Sequence, residues 1–270
     1  MSAKQAVLEI KDLSKTFNPG TPDEQRAINR LSLTLYEGDF VTVIGSNGAG
    51  KSTLLNLITG VYFADEGSIA LKKARIDHLP EYKRAAHIGR VFQDPSLGTA
   101  RGMSLWENLV LARLRGQKLG LRWALQNDQQ SYYQGLLKEL DLDLDKRLEH
   151  KVGVLSGGQR QALTLIMAIM ETPDLLLLDE HVAALDPTTS EKVLKLTKEL
   201  VNREKLTTLM ITHDMGDALK YGNRLIMLDA GRVVVDLNAE EKSQLKVNEL
   251  LAIFKDASAQ GMLSDRTLLS

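Results

Sequence analysis

At residues 45–52 the chain reads Gly-Ser-Asn-Gly-Ala-Gly-Lys-Ser, which fits the pattern G-x-x-x-x-G-K-[ST] at every fixed position. The apolar run at residues 40–44 precedes it, and Leu54, Leu55 and Ile58 follow at helical spacing. A buried strand, a glycine-rich turn and a helix in this order form a phosphate-binding loop. The alternative is an ordinary glycine-rich surface turn, which the flanking strand and helix disfavour. The sequence therefore predicts a nucleotide site.

The residue types of this P-loop suit the binding of a polyphosphate. Its three glycines are expected to allow unusual backbone angles that turn several N–H groups inward. Lys51 can place its ammonium between the β- and γ-phosphates, and the Ser52 hydroxyl can bind Mg²⁺. The residues predicted to bind ATP here are Gly45, Ser46, Asn47, Gly48, Ala49, Gly50, Lys51, Ser52 and Thr53.

A second chemical signature is the sequence Leu-Leu-Leu-Leu-Asp-Glu at residues 175–180. Asp179, at the end of a buried strand, can hold Mg²⁺ through water, and Glu180 can accept a proton from an attacking water. Two solvated acids at a strand end are the alternative, but the upstream P-loop favours the metal role. The second acid favours hydrolysis over transfer to an organic acceptor, since water is the substrate that needs a positioned base.

Strand patterns alternate with helical patterns along the chain. Leu31, Leu33 and Leu35 alternate with polar residues, which indicates a half-buried strand near the N-terminus. Short apolar runs at residues 209–212 and 225–228 indicate buried strands after the acidic pair, with a helical pattern before them. This alternation predicts an α/β fold with a mostly parallel sheet.

The segment from about residue 95 to 150 differs in pattern. Apolar residues recur there at helical spacing, around Trp106 and again around Tyr133, and no strand-like run interrupts them. We therefore expect an inserted α-helical subdomain. Residues 237–270 are more polar and are expected to form a short C-terminal extension with one appended helix.

Composition limits the classes of function. Of the 270 residues, 34 are Lys or Arg and 35 are Asp or Glu, so the basic excess of a dedicated nucleic-acid binder is missing. The chain has no Cys, which excludes disulfides, thiolate metal sites and a cysteine nucleophile. No apolar run approaches the ~20 residues that cross a bilayer. If the protein acts at a membrane, we therefore expect it to associate peripherally.

The run Leu-Ser-Gly-Gly-Gln at residues 155–159 is the third signature. On physical grounds it is a helix N-terminus capped by Ser156, and an ordinary capped helix is the alternative. In this order, however, the signatures over residues 7–236 resemble the ATP-binding subunit of ABC transporters. The resemblance implies a single ABC ATPase domain at 7–236, with an antiparallel N-terminal β subdomain beside the P-loop core.

Further roles are implied only by this resemblance. They are adenine stacking for Phe17, sensing of Mg²⁺ and the attacking water for Gln93, contact with the γ-phosphate bound by a second protomer for Ser156, Gly157, Gly158 and Gln159, communication between the two sites for Asp186, and γ-phosphate contact for His213. Taken singly, each has a simpler explanation: Phe17 and His213 as core residues, and Asp186 before Pro187 as a helix cap.

Two positions depart from the family's usual sequence. Val182 stands where a small hydroxyl residue is common, and we expect a mild effect on loop geometry without loss of activity. Position 17 is Phe where Tyr is common, and a Phe ring can stack equally well. No catalytic residue of the family is missing.

The resemblance implies a motor that hydrolyses ATP with Mg²⁺ and dimerises head to tail around two ATP. The implied partners are a second protomer, a membrane permease gripped near residues 95–115, and an extracellular solute-binding protein, with the motor peripheral on the cytoplasmic face. The implied cargo is an imported amino acid or related solute.

A non-transport ABC ATPase acting on ribosomes or DNA is the alternative, though residues 93 to 156 leave no room for a long coiled coil. A P-loop kinase or GTPase would leave residues 155–159 and His213 unexplained.

Overall fold

The computed structural model describes residues 4–117, 130–138, 140 and 142–256. Its strands, in chain order, are β1 (Ala6–Phe17), β2 (Gln25–Tyr36), β3 (Phe40–Gly45), β4 (Glu66–Leu71), β5 (Ala74–Arg75), β6 (Ile88–Val91), β7 (Leu175–Asp179), β8 (Thr208–Ile211), β9 (Arg224–Asp229) and β10 (Arg232–Leu237).

The helices are α1 (Lys51–Thr59), α2 (Glu81–Arg84), α3 (Leu105–Arg113), α4 (Gln130–Lys138), α5 (Gly157–Ile169), α6 (Pro187–Arg203), α7 (Met215–Lys220) and α8 (Ala239–Gln244). Short 3-10 turns lie at Pro95–Gly98, Asp145–Arg147 and Val152–Val154. None of the helices in the described part of the chain is both long enough and apolar enough to span a membrane.

Within the described residues the strands form two sheets. The smaller sheet has the order β2-β1-β4-β5, and all of its pairings are antiparallel. The larger sheet has the order β10-β9-β3-β8-β7-β6 and is parallel except for the β9–β10 pair. The predicted α/β class, with a mostly parallel core sheet and an antiparallel N-terminal β region, is confirmed.

The carboxyl ends of the parallel strands meet at one edge of the larger sheet. Asp179 at the end of β7 is in register with Ile211 of β8, and Val43 of β3 is in register with the same residue. On the other side, Val91 of β6 is in register with Leu178. Because parallel strands end together, the loops that follow β3, β6, β7 and β8 converge there, as in other open α/β sheets.

Helix α1, which follows the P-loop, is packed between the two sheets. Its residues Leu54 and Leu55 are fully buried and share one hydrophobic cluster with Leu8 of β1 and with Leu175 and Leu209 of the larger sheet. Burial of this kind contributes about 1.5–3 kcal/mol per leucine side chain. The start of α1 is therefore fixed from both sides.

The segment expected to be helical contains α3 and α4. Leu109 of α3 and Tyr133 of α4 are fully buried in the cluster that also holds Ala162 and Leu163 of α5. The Trp106 and Tyr133 rings meet edge to face with centroids 5.0 Å apart. Residues 118–129, 139 and 141 of the expected subdomain lie outside the described residues, and its limits at about 95 and 150 stay a prediction.

The C-terminal extension differs from the single appended helix that was expected. Helix α8 is followed by further helical residues at 247–256, and residues 257–270 lie outside the described part. Leu250 is fully buried against Leu225 and Met227. Lys242 is also buried, and its ammonium donates hydrogen bonds to the Tyr221 and Gly222 carbonyls. Ile253 and Phe254 pack against the same cluster, and their helical spacing from Leu250 is a signal that the sequence analysis missed.

Candidate functional site

The P-loop glycines serve two different purposes. Gly48 and Gly50 have φ of +83° and +98°, a region that favours glycine. Gly45 has no such angle, which corrects the expectation that all three glycines adopt unusual angles. It lies at the end of β3, where a Cβ atom would collide with the Leu228 carbonyl oxygen on β9. Close packing of β3 against β9 therefore explains Gly45, while loop curvature explains Gly48 and Gly50.

The P-loop is tied to the neighbouring β9–β10 turn, and no side chain caps the helix that follows it. The Gly231 amide donates to the Ala49 carbonyl at 3.1 Å, which ties the loop to the β9–β10 turn. Gly50 is the N-cap of α1 and has no side chain to cap the first turn. The N–H groups at a helix start seek an acceptor and carry partial positive charge, so they suit a phosphate.

Lys51 is folded back onto its own loop. Its Nζ donates to the Gly45 and Ser46 carbonyls at 2.8 and 2.9 Å, and the residue is only 6% exposed. Burial lowers the pKa of the Lys51 ammonium, and the negative charges of Glu180 and Asp179 oppose that shift. The ammonium therefore lies within the electrostatic reach of both acids.

Glu180 is bound on both carboxylate oxygens. His213 Nε2 lies 2.5 Å from Oε1, and Gln93 Nε2 donates to Oε2 at 3.1 Å. Glu180 also has a positive φ of 45°, a strained value for a residue with a side chain. Three loops that follow different strands thus meet at this one carboxylate, as their sheet positions require.

Asp179 is paired with a residue that the sequence patterns did not indicate. Arg90, on β6, donates from Nη2 to Asp179 Oδ2 at 2.9 Å. A lone arginine in a short strand fits no binding motif, so only the register of β6 against β7 reveals the pair. Gln161 of α5 was also missed, and its Nε2 donates to the Phe92 carbonyl next to Gln93 at 3.1 Å.

A cavity of about 210 Å³ brings several predicted residues together. Its walls include Glu180 and His213, with Gln25 and Ala27 of β2 as unpredicted additions. The remaining lining residues are Phe17, Asn47, Gly48, Ala49, Gly50, Lys51, Ser52 and Thr53. The Phe17 ring stands edge to face with Tyr62, with centroids 5.2 Å apart, so its position is set by a second aromatic ring.

The run at residues 155–159 begins α5, as predicted, with Ser156 as N-cap. Ser156 Oγ accepts from the Gln159 amide at 3.2 Å, and Gln159 Oε1 accepts from the Ser156 amide at 3.1 Å. Gly158 is buried, and a Cβ there would collide with Thr189 of α6. Ser156 and Gly157 are exposed. Among the described residues lining the 210 Å³ cavity, none comes from this run or from Asp186.

The loop between β7 and α6 is closed by its own hydrogen bonds. Asp186 is the N-cap of α6, and its Oδ1 accepts from the Thr189 amide at 3.1 Å. The Val182 carbonyl accepts from the Leu185 amide and from Ser190 Oγ, both at 3.1 Å. Val182 has no side-chain hydroxyl, but the Ser190 hydroxyl donates a hydrogen bond within this loop.

His181, beside Glu180, is a buried residue that sequence analysis passed over. Its Nε2 lies 3.1 Å from Thr197 Oγ1 on α6. Burial lowers the pKa of His181 to about 4, so the ring is neutral at pH 7. It packs the loop after β7 against α6 and does not line the P-loop cavity.

The residues around Asp179 fit a magnesium ion that is bound largely through a nucleotide. In the described part of the chain no group of three His, Asp or Glu side chains could hold a metal alone. Mg²⁺ is commonly bound by one or two protein oxygens with substrate phosphates and water. Ser52, Gln93 and Asp179, the predicted ligands, have side-chain oxygens of that kind.

Comparison with known proteins gives concordant results. The family described as ABC transporter matches residues 28–183, more than half of the chain. The tyrosine transport ATP-binding protein of Clostridioides difficile is 48% identical over 251 residues, covering 93% of this chain and all of that protein. The phosphonates import ATP-binding protein PhnC of Treponema denticola is 34% identical, with 85% and 89% of the two chains covered.

Among solved structures, the dimeric post-hydrolysis state of the ATP-binding cassette MJ0796 with ADP and Pi superimposes with a TM-score of 0.72. It is 28% identical, and the match covers 86% of this chain and 98% of that one. Family, relatives and fold agree with the geometry of the P-loop cavity. The chain therefore belongs to the ABC transporter family, as an ATP-binding subunit that hydrolyses ATP.

Proposed function

We propose that this chain is the ATP-hydrolysing motor subunit of an import system for amino acids or related small solutes. The observation that carries the proposal is the Glu180 carboxylate, held between Gln93 and His213 on the wall of the P-loop cavity. The amino-acid cargo is supported by the 48% identity to a tyrosine transport protein over nearly the whole chain.

The site residues have distinct tasks in this proposal. Lys51 exchanges its two loop carbonyls for phosphate oxygens, and the open first turn of α1 binds the remaining phosphate charge. Glu180 accepts the proton of the attacking water, and His213 and Gln93 fix the orientation of its carboxylate. Ser52, Asp179 and Gln93 would hold Mg²⁺, which would neutralise negative charge on the phosphates. Phe17 stacks on the adenine.

The site is completed by a second protomer. The exposed N-terminus of α5, with Ser156 and Gly157, is absent from the described lining of the chain's own P-loop cavity. In the proposal it meets the ATP bound by the partner, and Asp186 lies in the loop that links the two sites. Two protomers then stand head to tail around two ATP, and hydrolysis opens them. The dimeric structure of a related cassette supports this arrangement.

The motor works on a membrane partner from the cytoplasmic face. The partners proposed are a separate permease and an extracellular solute-binding protein, with no nucleic acid. In the proposal the permease contacts the region near residues 95–115, where Leu97 and Leu111 are 71% and 51% exposed. The import role in the name of the phosphonates relative supports the direction of transport.

The dimeric site is tested by the concentration dependence of hydrolysis. ATPase activity per protomer should rise with protein concentration in the dilute range, in step with dimer measured by sedimentation. A stable monomer with full activity at every concentration would contradict the two-protomer site.

The transport role is tested by co-purification and uptake. Glu180→Gln protein with ATP, drawn from native membranes in mild detergent, should retain a polytopic membrane protein in stoichiometric amount. The wild-type complex, reconstituted in vesicles, should move labelled tyrosine or another amino acid only with ATP, and the Glu180→Gln complex should not. Ribosomal or DNA-repair proteins in place of the permease would leave ATP hydrolysis intact and refute transport.

A further inference from the structure

Arg90 makes an ion pair with the carboxylate assigned to the metal. Its Nη2 lies 2.9 Å from Asp179 Oδ2, and the two side chains are 12% and 14% exposed. Water and salt screen an ion pair with so little exposure less than they screen a surface ion pair. The electrostatic attraction between Arg90 and Asp179 is therefore stronger than that of a surface pair. No described residue donates a hydrogen bond to the other carboxylate oxygen, Oδ1, which leaves that oxygen for a metal or its water.

The guanidinium is fixed from two further directions. Its Nη1 donates to Asn56 Oδ1 on α1 at 2.8 Å, and its central carbon lies 4.6 Å from the centroid of the Phe92 ring. Arg90 thus contacts the P-loop helix, the residue before Gln93 and the end of β7 at once. These contacts hold the guanidinium against Asp179.

The charges near the P-loop explain why such a cation is useful. Glu180 lines the P-loop cavity, and both Glu180 and Asp179 act electrostatically on Lys51, so two negative charges lie near the proposed triphosphate site. When Mg²⁺ is bound, the metal neutralises this acidic charge. Without Mg²⁺, an unpaired Asp179 would repel the phosphates and oppose binding of the free nucleotide.

We propose that Arg90 is a positioning residue that neutralises Asp179 in the absence of Mg²⁺, so that nucleotide can enter and leave the site without the metal. The inference rests on the proposed assignment of the P-loop cavity as the ATP site. Arg90 is not expected to touch the substrate. It acts through Asp179, and its effect is therefore largest when the metal is missing.

The test measures ATP binding by calorimetry, once with EDTA and once with excess Mg²⁺, and compares the two dissociation constants. In Arg90→Gln the constant for metal-free ATP should rise about tenfold, the effect expected of one partly screened charge at short range. The constant for ATP with Mg²⁺ should change about twofold or less, because the metal then supplies the missing charge. Arg90→Lys, which keeps the charge, should retain the wild-type ratio of the two constants.

Two further variants separate charge from structure. Arg115→Gln removes another half-buried guanidinium, one that donates to the Ala168 carbonyl at 3.0 Å, and should leave the ratio unchanged. The double variant Arg90→Gln/Asp179→Asn removes both charges and should bind metal-free ATP nearly as tightly as the wild type. It also gives a readout if the half-buried Asp179, left without its partner, prevents Arg90→Gln from folding.

The outcomes are distinguishable. If Arg90→Gln has the wild-type ratio of dissociation constants, the role of Arg90 is refuted while the ATP site stands. The same conclusion follows if the double variant binds metal-free ATP as weakly as Arg90→Gln does. If Arg90→Lys behaves as Arg90→Gln does, the effect is one of shape and the charge role is wrong. Wild-type protein that binds no ATP under either condition would refute the proposed site itself and this inference with it.

Discussion

His213 Nε2 lies 2.5 Å from Glu180 Oε1, although the two residues follow different strands of the sheet. Gln93, after a third strand, donates to the other oxygen of the same carboxylate at 3.1 Å. The side chain of Glu180 is 11% exposed and that of His213 is 47% exposed. The carboxylate is therefore sheltered, and both of its oxygens are oriented by polar side chains.

Glu180→Gln should lower ATP turnover about 10²-fold or more, the size of a general-base contribution. An amide cannot accept the proton of the attacking water, yet it has almost the same shape, so ATP binding should persist. Steady-state ATPase assays and calorimetric ATP binding check the two halves of this prediction. Turnover at the wild-type rate would remove Glu180 from the role of base.

Ser156→Arg should abolish hydrolysis while ATP binding to the chain's own P-loop is kept. The residue is exposed at the start of α5 and does not line the P-loop cavity, so the added side chain blocks only what meets this helix end from outside. ATP binding is measured by calorimetry and turnover by phosphate release. Undiminished hydrolysis would exclude this helix end from the active site.

Gly158→Ala should destabilise the protein by about 1–3 kcal/mol, the usual cost of overpacking. The new Cβ would collide with the Thr189 methyl group, which joins the start of α6 to the start of α5. Thr189→Ser removes that methyl, so the double variant should recover most of the loss in urea unfolding. A Gly158→Ala protein as stable as the wild type would show that α5 and α6 are not so closely packed.

Stability should fall between pH 7 and pH 5 through His181. Its pKa is about 4 in the folded protein, against 6.5 for an ordinary histidine, so below pH 6.5 the unfolded chain takes up a proton that the folded chain excludes. The stability that depends on the neutral His181 ring is fully present above pH 6.5 and is lost as the pH falls toward 4. From pH 7 to pH 5 it amounts to about 2 kcal/mol.

The variant His181→Gln should lack this part of the pH dependence. Urea unfolding at both pH values gives the free energy of unfolding for each protein, and the fall should be smaller in the variant by about 2 kcal/mol. His78, which is exposed, provides the matched control as His78→Gln. Equal pH dependence in the wild type and His181→Gln would show that His181 is not held neutral.

Several features follow from the sequence because they depend on local chemistry. The glycine pattern before Lys51, the apolar strand ending at Asp179 and the serine that caps α5 are each encoded within a few adjacent residues. Backbone angles, helix capping and strand burial are set largely by such short stretches. They were sufficient to predict the α/β fold, the P-loop and the acids beside it.

Tertiary structure alone decided which of these residues meet. The parallel register of β6, β7 and β8 brings Gln93, Glu180 and His213 together, and the same register places Arg90 on Asp179. Tertiary structure also explains why position 45 is glycine, since β3 packs closely against β9 at that point. Contacts between strands far apart in the chain have no local sequence signal, because they depend on how the strands align in the sheet.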